Sequence, residues 1–162
     1  MGMIGYLLRV SQPTLKEYLA DSSLLEIQFS EMDLSDSHIL DLDKEWDGVM
    51  FLLTGEKLGL GNGVLALTIM GGVPIDLEQD MGYGPALYLD PEQVKEVSIA
   101  LENSTIETLH SRYHPEEMNT MGIYPTGWKE DDVSNLLATF ENIQKFYSIA
   151  SQNDQAIISF LC

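Results

Sequence analysis

The sequence has little cysteine, little positive charge and no long apolar run. Its one cysteine is Cys162. A single thiol cannot cross-link a chain, so no disulfide framework supports the fold. That scarcity suits a reducing compartment, and a cytoplasmic location is the expectation. Lysine and arginine together number 8 against 26 aspartates and glutamates, a formal net charge of -18. Such a charge repels phosphate backbones and anionic headgroups, which argues against nucleic-acid and membrane partners. The runs Val49 to Leu53 and Val64 to Leu67 fall far short of the roughly 20 apolar residues a bilayer span needs. Met1 to Val10 carries no basic leader and is not read as a signal peptide.

What is there is enough for one domain. A length of 162 residues with 44% hydrophobic content buries a real core. Gly5 to Val10 is rich in strand formers, and Ser11-Gln12-Pro13 opens a helix with proline in its first turn. Ser22 to Asp36 is acidic, and Leu24, Leu25, Ile27 and Phe29 predict a brief buried element there. Leu42, Trp46, Val49, Met50 and Leu53 recur at helical spacing, with Asp41 or Asp43 as cap and Gly55 as the left-handed stop. Val64 to Met70 is ambiguous between helix and strand, and Gly71-Gly72-Val73-Pro74 breaks it. Ala86 to Leu89 reads as a strand.

Asp90-Pro91-Glu92-Gln93 has the cap, the proline and the third-position glutamine of a capping box. Val94, Val97, Ala100 and Leu101 then face the core. Thr105 starts another helix, which His114-Pro115 stops. The clearest helix runs from about Asp131 to Ala150, with Val133, Leu136, Leu137, Phe140, Ile143, Phe146 and Tyr147 on one face. Ala156 to Leu161 is almost fully apolar and reads as a central strand covered on both faces. The layout is α+β, a single compact domain of several helices on a small mixed sheet.

Chemistry-bearing patterns are present but incomplete. Asp43, Glu45, Asp47 and Gly48 match the first half of a calcium loop, yet Thr54 stands where a bidentate glutamate is needed. Asp43 and Asp47 share a helix face, a spacing that serves an acid/base pair or, more simply, the helix dipole. Gly59, Gly61 and Gly63 lack the lysine of a phosphate loop. His110 and His114 are four apart, as two zinc ligands on one helix would be, but no third ligand is evident. No metal site, cofactor or catalytic residue is assigned. Tyr83 and Gly84, in the Gly82-Tyr83-Gly84-Pro85 turn, and the aromatics Tyr124 and Trp128 near Pro125 suit either turn chemistry or a recognition surface.

The opening MGMIGY, LDLDKEWDGVMFLLTG, DMGYGPALYLDPEQV and GIYPTGW occur in that order and span nearly the whole chain. Each motif is weak alone, but the ordered set resembles the YfbM-like family of small bacterial proteins. The resemblance implies one α+β domain over residues 1–162 and a bacterial cytosolic origin. It implies no activity, because the family is one of unknown function. Similar sequences often carry a histidine where this chain has Met50, so any base role for that histidine is closed here.

Two functions follow as expectations. The first is a non-enzymatic acidic domain, of regulatory or toxin-neutralising type, holding a basic protein partner. Its binding candidates are Trp46, Asp47, Tyr83, Gly84, Tyr124 and Trp128. The alternative is a small-molecule-binding or hydrolytic enzyme with a pocket near Trp46, Asp47, Tyr83 and Tyr124. The sequence leaves the oligomeric state open.

Overall fold

Two apolar hexapeptides from opposite ends of the sequence form the centre of the molecule. In the computed structural model, which describes residues 2–162, Gly5–Val10 is β1 and Ala156–Leu161 is β5. They pair antiparallel from Gly5↔Leu161 to Val10↔Ala156, and all twelve of these residues are buried. Strand β2 (Ile39–Asp41) adds to the free edge of β1. Strand β4 (Leu87–Leu89) adds to β5, and β3 (Val73–Pro74) to β4. The order is β2-β1-β5-β4-β3. Every pairing is antiparallel, so the expected mixed sheet is corrected. Residue periodicity gives strand faces but not strand directions, which is why the sequence could not settle this point.

Alternate side chains of β1 and β5 enter two separate cores. Leu7, Ile157 and Leu161 face one side, where α3 (Trp46–Thr54), α4 (Pro91–Glu102), α5 (Ile106–Ser111), α6 (Pro115–Met121) and α7 (Val133–Gln152) pack. Tyr6, Leu8, Val10, Ile158 and Phe160 face the other, covered by α1 (Gln12–Ala20) and α2 (Ser23–Glu31). Phe29 of α2 sits on the Tyr6 and Phe160 rings, with centroids 5.2 and 4.8 Å away. Five helices therefore cover one face and two the other.

Local chemistry sets most helix ends. Asp90 and Gln93 form the expected capping box of α4. Gly55 closes α3 in the left-handed region at φ 78, and Arg112 Nη1 donates to the Leu52 and Leu53 carbonyls at the same end. Asp41 and Asp43 do not cap α3: Asp41 Oδ1 accepts from the Asp43 N–H at 2.7 Å, making a tight turn just before it. Pro115 ends one helix and begins the next, since proline at a first helical position forfeits no bond. The predicted brief element after Ser22 is a full helix, α2, in which only Leu25 is buried. Val64–Leu67 is a single 3-10 turn. On α4, Ala100 is only half-buried while Ser98 is buried.

Gly72 lies at φ 90, and a Cβ there would sit 2.0 Å from the Tyr88 carbonyl oxygen. Backbone cannot yield as a side-chain tip can. Gly72→Ala is expected to cost about 3 kcal/mol, from backbone strain plus the clash that separates β3 from β4. Urea unfolding monitored by circular dichroism measures it, and an unchanged midpoint would refute the close approach.

Candidate functional site

Helix α3 begins with two of the predicted residues, and both face inward. Trp46 is buried, and its Nε1–H donates to the Met3 carbonyl at 3.0 Å. The Met3 N–H donates to the Tyr124 hydroxyl at 2.8 Å. The Tyr124 ring in turn stacks on Trp46, with centroids 5.0 Å apart and 16° between planes. Gly5 leaves room for the indole, since a Cβ there would meet Trp46 at 3.0 Å.

Asp47 is 2% exposed. Its Oδ1 accepts from the Leu58 N–H at 2.7 Å and its Oδ2 from the Tyr124 N–H at 2.8 Å. An acid in the first turn of a helix also faces the positive end of the dipole. Asp47 thus holds two loops against α3, and both oxygens are engaged by main chain. Asp43 is exposed and Asp47 buried, so the two acids do not form a pair in a common cleft.

Trp128 is buried too. Its Nε1–H donates to the Ile123 carbonyl at 3.0 Å, and Asn119 holds its main chain from both sides at 2.8 and 3.0 Å. The edge of the indole lies against Gly48, where a Cβ would come within 2.8 Å. The glycine of the apparent calcium loop is therefore a helical contact residue. The neighbouring Tyr113 hydroxyl donates to the Lys129 carbonyl. Burial, aided by the Asp132 and Glu130 carboxylates, pushes the Tyr113 phenol up to about 12.

Tyr83 stands differently, at 51% exposure. Its turn is held by Asp80 Oδ1, which accepts from the Gly82 and Gly84 N–H groups at 2.8 and 3.3 Å. Gly84 takes φ 96, and the Tyr83 N–H joins the turn to Leu161 at 3.2 Å. Among the described residues, the one ring pairing within the predicted set is Trp46 with Tyr124. A hollow of about 190 Å³ beside them is lined by Asp43, Lys44, Glu45, Pro125, Thr126 and Trp128 with two further polar residues. His110 ends α5 while His114 precedes α6, so they do not share a helical face. Among the described residues, no three His, Cys, Asp or Glu side chains gather as a metal site.

The predicted buried element after Ser22 is in part exposed. Leu24 and Ile27 on α2 are exposed, Ile27 by 54%, and Leu34 just beyond the helix is exposed as well. A groove of about 390 Å³ runs beside them, lined by Leu24, Ile27, Gln28 and Met32, with Glu31, Asp33 and Asp36 among its walls. The sequence carries four apolar residues, Leu24, Leu25, Ile27 and Phe29, in a segment without clear periodicity, and apolar residues of this kind are usually buried.

Fold and site define an α+β domain whose antiparallel sheet is clad by helices on both faces. A family model described as "Domain of unknown function (DUF1877)" matches residues 1–160, and the chain belongs to that family. It is also similar to the crystal structure of YfbM, a protein of unknown function from Escherichia coli. The TM-score is 0.77 at 20% identity, over 98% of this chain and 99% of that one. The YfbM-like resemblance read from the motifs is thereby borne out. At this identity the likeness concerns the fold alone. No curated protein matches the chain, and among the described residues no helix is long and apolar enough to cross a membrane.

Two predictions follow from the geometry around α3. Asp47→Asn places an amide donor against a main-chain donor and is expected to cost about 3 kcal/mol. Asp43→Asn, exposed at φ 46 where asparagine is at ease, is expected to stay within about 0.5 kcal/mol. Equal urea midpoints for the two variants would contradict the assignment. The raised Tyr113 value means that the folded state favours the neutral phenol. That stability is present below the unfolded value of about 10 and vanishes as pH rises through about 12. Tyr113→Phe should therefore flatten the alkaline limb of Tm against pH. It should not abolish it, because burial pushes the Tyr147 phenol upward as well.

Proposed function

We propose that this is a non-enzymatic binding domain that takes a basic protein partner on the face of α2. The observation that carries the reading is the exposed pair Leu24 and Ile27 beside a groove walled by Glu31, Asp33 and Asp36. Between Ser11 and His38 the chain has six acids (Glu17, Asp21, Glu26, Glu31, Asp33 and Asp36) and Lys16 as its one cation among lysines and arginines. An apolar strip inside an acidic frame suits a partner segment with apolar anchors flanked by lysine or arginine. Long-range attraction would speed the encounter, and apolar contact would hold the complex. A partner of this kind fits a regulatory or toxin-neutralising role in a bacterial cytoplasm.

Tyr83 is a second exposed contact of the kind such a partner could use. The other candidates, Trp46, Asp47, Tyr124 and Trp128, lie on the opposite side of the sheet from α2, so they stand apart from this surface, and their polar atoms bind main chain. The small-molecule enzyme reading has less support for the same reason. The hollow beside Trp128, at about 190 Å³, is below the roughly 300 Å³ of ordinary ligand sites.

Wild type and Ile27→Lys, each used as bait in a bacterial lysate at ~50 and ~500 mM salt, test the reading. A basic protein held stoichiometrically by wild type at low salt, released at high salt and missed by Ile27→Lys is the expected outcome. A partner held equally by the variant, or no stoichiometric basic partner at low salt, would sink it.

A further inference from the structure

Arg9 is the exception to the electrostatics of this chain. It lies on β1 with 9% exposure. The chain offers 26 carboxylate side chains, yet neither ion pair among the described residues, His38 with Asp36 and Lys95 with Asp154, includes it. Its protein partners are neutral. Nε donates to the Ser37 carbonyl at 3.2 Å, Nη1 to Gln155 Oε1 at 3.0 Å and Nη2 to Ser37 Oγ at 3.4 Å. The Phe146 ring lies 5.9 Å from the guanidinium carbon. A guanidinium has five N–H donors, so these bonds leave one on each terminal nitrogen without a protein acceptor. Buried charge is ordinarily paired with opposite charge.

The same guanidinium lines a cavity of about 300 Å³ at the end of the sheet where β1 finishes and β5 begins. Leu8, Val10 and Met32 supply apolar wall, and His38, Gln28 and Gln155 supply polar wall. Asp36 Oδ1 holds both the His38 N–H, at 2.8 Å, and its ring Nδ1, at 2.7 Å. That leaves Nε2 as the ring nitrogen available to a ligand. The N-terminal turn of α1, at Ser11 and Thr14, borders the cavity and adds the positive end of a helix dipole.

We propose that this cavity binds a small organic carboxylate, with the carboxylate forked on Arg9 and its apolar body in the part of the cavity bordered by Val10, at the strand end, and Met32. A planar carboxylate matches the paired donors of a guanidinium. The Asp36 carboxylate shares the lining, held below the usual carboxylate range by hydrogen bonds from His38 and, in smaller part, by the nearby Arg9 charge. Any anion therefore meets some repulsion there, and a phosphate dianion meets more of it than a monocarboxylate. The volume is at the low end for small-molecule sites, which sets the ligand near the size of a short fatty or aromatic acid. This site is separate from the reading of α2 as a docking face, and Ile27→Lys should leave it intact.

The test is titration of the whole chain, followed by nitrogen-edited NMR, with hexanoate, benzoate, hexanol and inorganic phosphate. Hexanoate or benzoate should give saturable shifts at Arg9 Nε–H, His38 and Gln155 with Kd of ~1 mM or tighter. Hexanol and phosphate should give none that saturate. Arg9→Gln should weaken carboxylate binding by about tenfold or more. His38→Ala, at a largely exposed side chain, should weaken it about threefold in a protein that still folds, so it decides the matter if Arg9→Gln does not fold. Absence of saturation by both carboxylates at ~20 mM, or binding unchanged in either folded variant, would overturn the proposal. So would phosphate or hexanol binding as tightly as the acids.

Discussion

The arrangement of this protein depends on one carboxylate withdrawn from water. Asp47 accepts main-chain N–H groups from residues 11 and 77 positions away, at Leu58 and at Tyr124. A buried N–H with no acceptor is costly, so each loop is held wherever that carboxylate sits. Trp46, its neighbour, reaches Met3 and stacks on Tyr124. The first turn of α3 thereby fixes the approach to β1, the loop after α3 and the loop before α7. The far end of α3 is fixed as well, through Gly55 and Arg112. The segment that labels the family is thus its internal joint.

The fold was largely legible because its strongest elements are locally encoded. Five apolar residues among the six at Ala156–Leu161 read as an interior strand, and the structure places it at the centre of the sheet. Asp90 and Gln93 announced α4, and the regular apolar spacing from Leu136 to Tyr147 announced α7. What local pattern does not encode is tertiary choice. A helix-start aspartate reads the same whether it faces water or accepts from distant loops, so the role of Asp47 was hidden. The place of the aromatics is a tertiary choice of the same kind. Trp46 and Trp128 look like recognition residues beside acids and prolines, but each finds a carbonyl for its indole N–H inside the protein.

The two faces of the sheet explain where surface chemistry remains. Five helices cover one side, where Ile99 of α4 and Ile149 of α7 remain exposed singly. Two cover the other, and α2 rests on it mainly through Leu25 and Phe29. Flanked by α1 through Tyr18 and Gln28 and by the loop carrying Asp76 and Gln79, α2 still leaves Leu24 and Ile27 exposed. Acids around it keep that exposed strip hydrated and keep copies of the chain apart by repulsion. Arg9 lies near the same thin layer, where the loop from α2 to β2 wraps over the end of the sheet.

The pairing of β1 with β5 has a consequence for how the chain comes together. Gly5 meets Leu161 and Val10 meets Ala156 across nearly the full sequence. β1 can gain β2 once α1 and α2 between them are made, but its other edge stays open until the last strand is made. During synthesis the nascent chain therefore presents an unfilled slot in its sheet, bordered by the Leu7 and Leu8 backbone, until β5 clears the ribosome. Closure over so long a loop carries a large entropic barrier and gives the domain a slow, concerted final step. The sheet is therefore closed by the strand that lies farthest along the sequence from the one it completes.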